Sequence, residues 1–281
     1  MDWAQKSFWE EKRLKREVLI SILLIIIPLS NIMGFENNIG GKTTNAGMGF
    51  TKVIENLSFL SDLSYAPKSM VSFANTDLYG AGLVYNDAEA VFRLKSSLDL
   101  RFRYESMVDK DRIDNSGYSQ RLGAVGLIMG LTDFFRIGMD FSKLGFRLHD
   151  QAIGNGYELN MGALYGPLSF ADFNMLLGVK IDRLASLRRY ETNREEVSKP
   201  DINYGINIAK NNFQYAMDFK SGDFRCGVEY YIMPYVALRA GMSNGQPTLG
   251  LGILRKPFSI DYAFWLSDIG ATHRIGSSVN F

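Results

Sequence analysis

The chain has 281 residues, 46% hydrophobic and 22% charged, with a net charge of +1. That length suits one large β-domain, and the near-zero charge leaves no basic surplus with which to hold a nucleic acid. A single cysteine, Cys226, excludes an intramolecular disulfide, and with only two histidines a closed zinc site lacks ligands.

At the N-terminus, Lys12, Arg13, Lys15 and Arg16 precede the apolar run Val18 to Leu29 (VLISILLIIIPL), which Pro28, Ser30 and Asn31 close. A basic stretch followed by about 7–15 apolar residues is the pattern of a secretory signal. Residues 1–34 are therefore read as a signal peptide, with Gly34 the best small residue for cleavage in the absence of Ala-x-Ala. A membrane anchor helix is the alternative, because a count extended to Phe35 reaches the lower spanning limit. Residues 35–65 begin Gly-rich and continue as VIENLSFLSDL, where Val53, Leu57 and Leu60, with Ile54, share a side. That spacing predicts a short amphipathic helix, either a plug or hatch within the following domain or a periplasmic segment.

From residue 66 to 281 the pattern has period two. In FSIDYAFWL, Phe258, Ile260, Tyr262, Phe264 and Leu266 oppose Ser259, Asp261, Ala263 and Ser267. Phe224, Cys226, Val228, Tyr230 and Ile232 oppose Arg225, Gly227, Glu229 and Tyr231, and Tyr215 and Met217 oppose Ala216 and Asp218. Upstream, Leu98, Leu100, Phe102 and Tyr104 oppose Asp99, Arg101, Arg103 and Glu105. Such strands, joined by turns at Asn211-Asn212, Met233-Pro234, Asn244-Gly245 and Lys256-Pro257, make an antiparallel meander. Their length, about nine residues, crosses a bilayer when tilted. The expected fold is all-β: an up-and-down transmembrane β-barrel of about 14 strands, twelve of them after residue 98.

Connections are expected to alternate. The longer set is 108–119, 149–155, 184–201, 221–223, 243–246 and 267–271; the shorter set includes Thr132-Asp133 and Gly166 to Ser169. Long external loops and short periplasmic turns give this rhythm and would place Phe281 on the periplasmic side. Parity switches near Lys143, between odd Phe135, Ile137, Met139 and Phe141 and even Leu144, Phe146 and Leu148, which predicts a β-bulge. The stretch 120–131 shows no clean alternation, and its faces stay unassigned.

No catalytic arrangement stands out, and no cofactor is expected. His149 lies near a loop, His273 reads as interfacial, and Cys226 shares parity with Phe224 and Val228, as a small apolar residue on the lipid side. The informative polar set is Arg101, Arg103, Glu105, Arg225, Glu229, Arg239 and Asp261, the candidates for lining a lumen. Two readings stay open: a polar conduit, or a network of paired charges that fills the interior. The mixed signs argue against strong anion or cation selectivity.

The C-terminal stretches GVEYYIMPYVALRAGM, LGLGI and IDYAFWLSDIGATHRIGSSVNF resemble PorV/PorQ-like outer-membrane proteins, relatives of the FadL-type channels. The matching positions include Leu238 to Gly241, Asp261, Tyr262, Asp268, Gly270, Thr272, His273, Arg274 and terminal Phe281. Upstream, Gly47-Met48-Gly49 and Tyr65-Ala66-Pro67 correspond to family segments, but the Asn, Gly and Leu of the family's Asn-Pro-Ala-Gly-Leu motif are missing. The resemblance implies a 14-stranded barrel, with Phe281 as the signal read by the barrel-assembly machinery. It implies functions from uptake of hydrophobic compounds to assistance of type IX secretion. The expectation is a non-enzymatic barrel in the outer membrane of a diderm bacterium that moves, or helps to move, small or hydrophobic molecules. A secretion accessory or structural barrel that binds partners through its loops is the alternative.

Overall fold

The structure, a computed structural model, describes residues 69–79, 82–109, 117–148, 151–170, 172–192, 194–220, 222–267 and 270–281. The expected signal peptide (1–34), the plug or periplasmic segment (35–65), His149 and Asp268 lie outside the described residues. The first strands are β1 (Met70–Leu78), β2 (Leu83–Lys95), β3 (Leu98–Asp109), β4 (Ser119–Gly130), β5 (Phe135–Leu148), β6 (Gln151–Phe170) and β7 (Phe173–Tyr190). A two-residue strand, β8 (Glu195–Glu196), pairs with β7 and, among the described residues, with no other strand. Then follow β9 (Asp201–Lys210), β10 (Phe213–Lys220), β11 (Asp223–Met233), β12 (Val236–Ser243), β13 (Gln246–Arg255), β14 (Phe258–Ser267) and β15 (Gly270–Asn280).

Each barrel strand pairs antiparallel with its neighbours, β7 pairs with β9, and β15 pairs with β1 from Met70↔Asn280 to Asp77↔His273. The result is a closed fourteen-stranded barrel with β8 outside the ring. Twelve of the fourteen lie after residue 98, as the strand pattern predicts. Closure removes the free edge, whose unpaired N–H and C=O groups would cost several kcal/mol each in an apolar medium. The last link is made at the C-terminus, where the Phe281 amide donates to the Ser69 carbonyl at 2.8 Å.

Alternation decides which residues face in. Leu249, Ile260 and Ile275 point outward, 58%, 57% and 59% exposed, while Arg225 and Arg274 on the interior face are 1% exposed. Outward aromatic residues meet across neighbouring strands: Phe213 stacks on Tyr230 at 4.5 Å, and Phe219 meets Phe224 at 5.1 Å. These are register partners, so cross-strand packing and the hydrogen-bond ladder favour the same alignment.

Three sequence expectations need correction. Strand β5 runs in continuous register with β4 and β6 through Lys143, so no bulge lies there; the nearest register shift is at Phe146/Arg147. The parity of apolar residues switches because Leu144 and Phe146 turn into the interior and Lys143 turns out. Gly166 and Pro167 do not form a turn: β6 absorbs them at a register shift between Tyr165 and Leu168 and continues to Phe170. The expected length alternation is also weaker. The longer links are 110–118 and 191–200, whereas the link expected at 149–155 shrinks to 149–150 because β6 starts at Gln151.

Candidate functional site

The interior face is crossed by ion pairs that join strands. Arg101 on β3 donates Nε to Glu89 Oε1 at 2.9 Å and Nη2 to Glu89 Oε2 at 3.2 Å. Its Nη1 reaches the other way, across β4, to Asp140 Oδ2 on β5 at 3.2 Å. Arg101, Gly126 and Asp140 are direct register partners, so the bridge passes over Gly126. A Cβ there would lie 2.0 Å from Asp140 Oδ1, which is why that position carries glycine.

The opposite wall repeats the device. Arg239 on β12 donates Nε to Glu229 Oε2 on β11 at 2.5 Å and Nη1 to Asp261 Oδ1 on β14 at 2.8 Å. It passes Gly252 on β13, where a Cβ would lie 2.6 Å from Arg239 Nη2 and 2.7 Å from Asp261 Oδ1. Both arrangements read as Glu–Arg–Asp with a glycine beneath, a shape that suits the planar fork of a guanidinium. Four of the predicted lining residues, Arg101, Glu229, Arg239 and Asp261, belong to these two braces.

The other three also lie on the interior face. Arg103 pairs with Glu105 at 3.3 Å along β3. Arg225 pairs with Asp223 at 3.6 Å. Around them Arg93 forks onto Asp99 at 2.7 and 3.0 Å, Arg188 reaches Glu158 at 3.0 Å, and Lys220 reaches Asp201 at 3.1 Å. Among the described residues the interior carries both signs side by side, with no ring of one charge. Among the described residues no group of three or more His, Cys, Asp or Glu side chains is placed to hold a metal ion.

Between the charges lie apolar patches. Leu122, Ala124, Leu144 and Phe146 pack together, with Tyr118 and Ile153 against them, toward the 110–118 end of β4 and β5. Met70, Val91, Ile128, Leu164 and Leu176 form a second patch toward the end where β1 begins. A third joins Leu78 and Tyr85 to Ala263 and Trp265.

Of the motif residues, Arg274 is buried, bonded to Asp87 and, through Nη1, to Thr76 Oγ1 at 3.1 Å. Thr272 is buried and accepts the Tyr79 amide at 3.1 Å. His273 and Tyr262 face outward, bonded through Nδ1 and the phenol oxygen at 2.8 Å, with the Phe264 ring 5.1 Å away. Gly270 opens β15, and Phe281 is exposed at its end. Cys226 is a free, half-buried thiol opposite Met217.

Sequence reading missed Asp87, Glu89 and Asp140 as partners. Asp140 was legible, since it alternates with Met139 and Phe141. Asp87 and Glu89 alternate with Ala88 and Ala90, which are too small to mark an apolar face.

No protein-family model and no curated protein matches the sequence. Solved structures do match the fold. The P. putida toluene transporter TodX aligns over 87% of this chain and 99% of its own at 11% identity, with a TM-score of 0.59. The CymD monoaromatic hydrocarbon channel aligns over 87% and 98% at 10% identity, with a TM-score of 0.56. A TodX mutant lacking S2 and S3 aligns at 12% identity over 87% and 100%, with a TM-score of 0.54. The chain therefore has the closed, antiparallel fourteen-stranded architecture of these hydrocarbon channels.

Proposed function

We infer that the barrel spans the outer membrane of a diderm bacterium, reaches it through an N-terminal signal peptide, and carries small, uncharged, apolar molecules. The observation that carries this reading is the interior: cross-braced charges of both signs beside packed apolar patches. A lumen of that kind offers an ion of either sign no single-charged ring, yet gives an apolar solute surface to touch. The outward belt of Leu249, Ile260 and Ile275 suits the hydrocarbon of a bilayer. Structural neighbours named for toluene and monoaromatic hydrocarbons support the same substrate class. Residues 35–65 are proposed as a plug or periplasmic segment, and Phe281 as the handle for the barrel-assembly machinery.

The test is uptake of radiolabelled toluene by cells that carry the full chain, against cells that lack it. Faster initial uptake supports the channel, and uptake no faster than in cells that lack the chain, by the wild type and by interior variants alike with folded protein in the outer membrane, rejects it. A secretion-accessory role is the second reading. It is favoured by the exposed extension where β7 passes the start of β9 and pairs with β8 through Arg189 and Glu195.

A further inference from the structure

The interior face of β4 carries Gln120, Leu122, Ala124, Gly126 and Ile128, an uncharged run between two charged strands. Its two ends belong to different apolar patches. Leu122 and Ala124 pack with Leu144 and Phe146, whereas Ile128 packs with Val91, Leu164 and Leu176. Gly126 separates the patches, and there the Arg101–Asp140 bridge lies across the strand.

Arg101 is held unequally. Glu89 takes two hydrogen bonds from it, a bidentate grip, and Asp140 takes one at 3.2 Å. In the opposite brace the corresponding Arg239–Asp261 contact is 2.8 Å, and its side chains are 1% and 9% exposed, against 7% and 15% for Arg101 and Asp140. The bridge over Gly126 is thus the looser of two similar devices and the one set between two apolar surfaces.

We propose that the Arg101–Asp140 contact is a latch across an apolar path along β4, and that an uncharged apolar molecule passes between the two patches when this contact opens. The proposal rests on the channel reading above. Opening breaks a single charged hydrogen bond, because Arg101 stays neutralised on Glu89. Asp140 is the charge released, and its side chain is 15% exposed, so it is not fully withdrawn from solvent. Arg101 keeps its bidentate partner and Asp140 keeps contact with solvent, so opening costs less than breaking a fully buried pair. Gly126 lets the bridge cross β4, because a Cβ there would meet the Asp140 carboxylate.

The experiment compares initial uptake of radiolabelled toluene by cells carrying wild type, Asp140→Asn, Gly126→Ala, or Asp201→Asn as an interior ion-pair control on the other wall. Gly126→Ala keeps both charges and displaces the Asp140 carboxylate sterically. A heat-modifiability gel reports folding, and if Gly126→Ala does not fold, Asp140→Asn carries the test alone. The expected result is a rise of about fivefold for Asp140→Asn and Gly126→Ala, the shift produced by losing one weak ionic contact, with a clearly smaller change for Asp201→Asn. An inert wild type beside active latch variants also supports the latch, closed at rest. Active wild type with unchanged, folded latch variants overturns the latch and leaves the channel standing. An equal rise in Asp201→Asn overturns it too, as general loosening. No uptake by any form overturns the channel reading and the latch with it.

Discussion

On β1–β7 the interior face buries Met70, Leu78, Val91, Leu122, Ile128, Leu144, Phe146, Leu164 and Leu176. On β9–β15 the buried apolar side chains are Ala216, Ala237, Ala263 and Trp265, and the other buried side chains are those of Asp, Asn, Arg, Glu, Ser and Thr. The first wall also holds the long strands, the 20 residues of β6 and the 18 of β7, where β10 and β12 have 8 each. The outer faces of the two walls are alike, since both meet the same surroundings. The inner faces differ because each answers only to what fills the lumen. A polar inner face makes a strand amphipathic, whereas a mixed one leaves it apolar on both sides.

The largest expected effect separates the two braces. Arg239→Ala leaves Glu229 and Asp261 buried without their cation and should cost about 3–5 kcal/mol, read as a lower urea midpoint of the folded, heat-modifiable band. Arg101→Ala should cost less, because Glu89 and Asp140 are more exposed than Glu229 and Asp261. Equal losses would erase the distinction between a tight brace and a loose one.

Next comes the apolar wall. Leu144 is 3% exposed and packs with Leu122, Ala124 and Phe146. Leu144→Ala should therefore cost about 2–5 kcal/mol in the same urea titration, the range for a cavity in a packed core. A loss well under 1 kcal/mol would mean that the patch is loosely packed and wet, and the contrast between the walls would fail. The outer face supplies the third test. Ile275→Arg and Phe141→Arg, one on each wall, should each impair insertion by about 2–4 kcal/mol if they sit near the bilayer midplane. Tolerance on one wall alone, measured as outer-membrane yield, would show that the outer faces are not equivalent.

The same contrast explains how much was legible in the sequence. In the polar wall β10, β11 and β14 were readable from alternation, because Asp218, Arg225, Glu229 and Asp261 punctuate the apolar positions. In the other wall, 120–131 resisted assignment because Leu122, Ala124 and Ile128 turn inward while Val125, Leu127 and Met129 turn outward. The apparent bulge at Lys143 has the same origin: the periodicity is intact, and the apolar face changes side. Gly166-Pro167 misled for a different reason, since local turn chemistry was overridden by pairing with β7 on both sides of the shift. The lining charges were found by parity, but Asp87, Glu89 and Asp140, the partners of Arg274 and Arg101, were not. Pairing across three strands depends on register and on a missing Cβ at Gly126 or Gly252, and neither can be read along a single strand.

The smallest effect is expected where the first wall rises beyond its neighbour. Arg189 and Glu195 join β7 to β8 at 2.7 Å, but their side chains are 65% and 54% exposed. An ion pair in water gains little over its two hydrated partners, so Glu195→Gln should shift stability by no more than about 1 kcal/mol. The segment is more useful for orientation. Val197 is 73% exposed in the 191–200 link, and Lys256 lies in the β13–β14 turn at the end of the barrel that carries both Met70 and Phe281. Long links outside and short turns inside would place the two residues on opposite sides of the membrane. In a Cys226→Ala background, Val197→Cys should react with an impermeant thiol reagent on intact cells and Lys256→Cys should react only after lysis. Cys226 itself is half-buried on the outward face, so its removal takes away the one competing thiol. Reaction at Lys256→Cys alone would invert the barrel, place the looser brace's apolar approach from Leu122 and Phe146 on the periplasmic side, and reverse the direction in which cargo meets the latch.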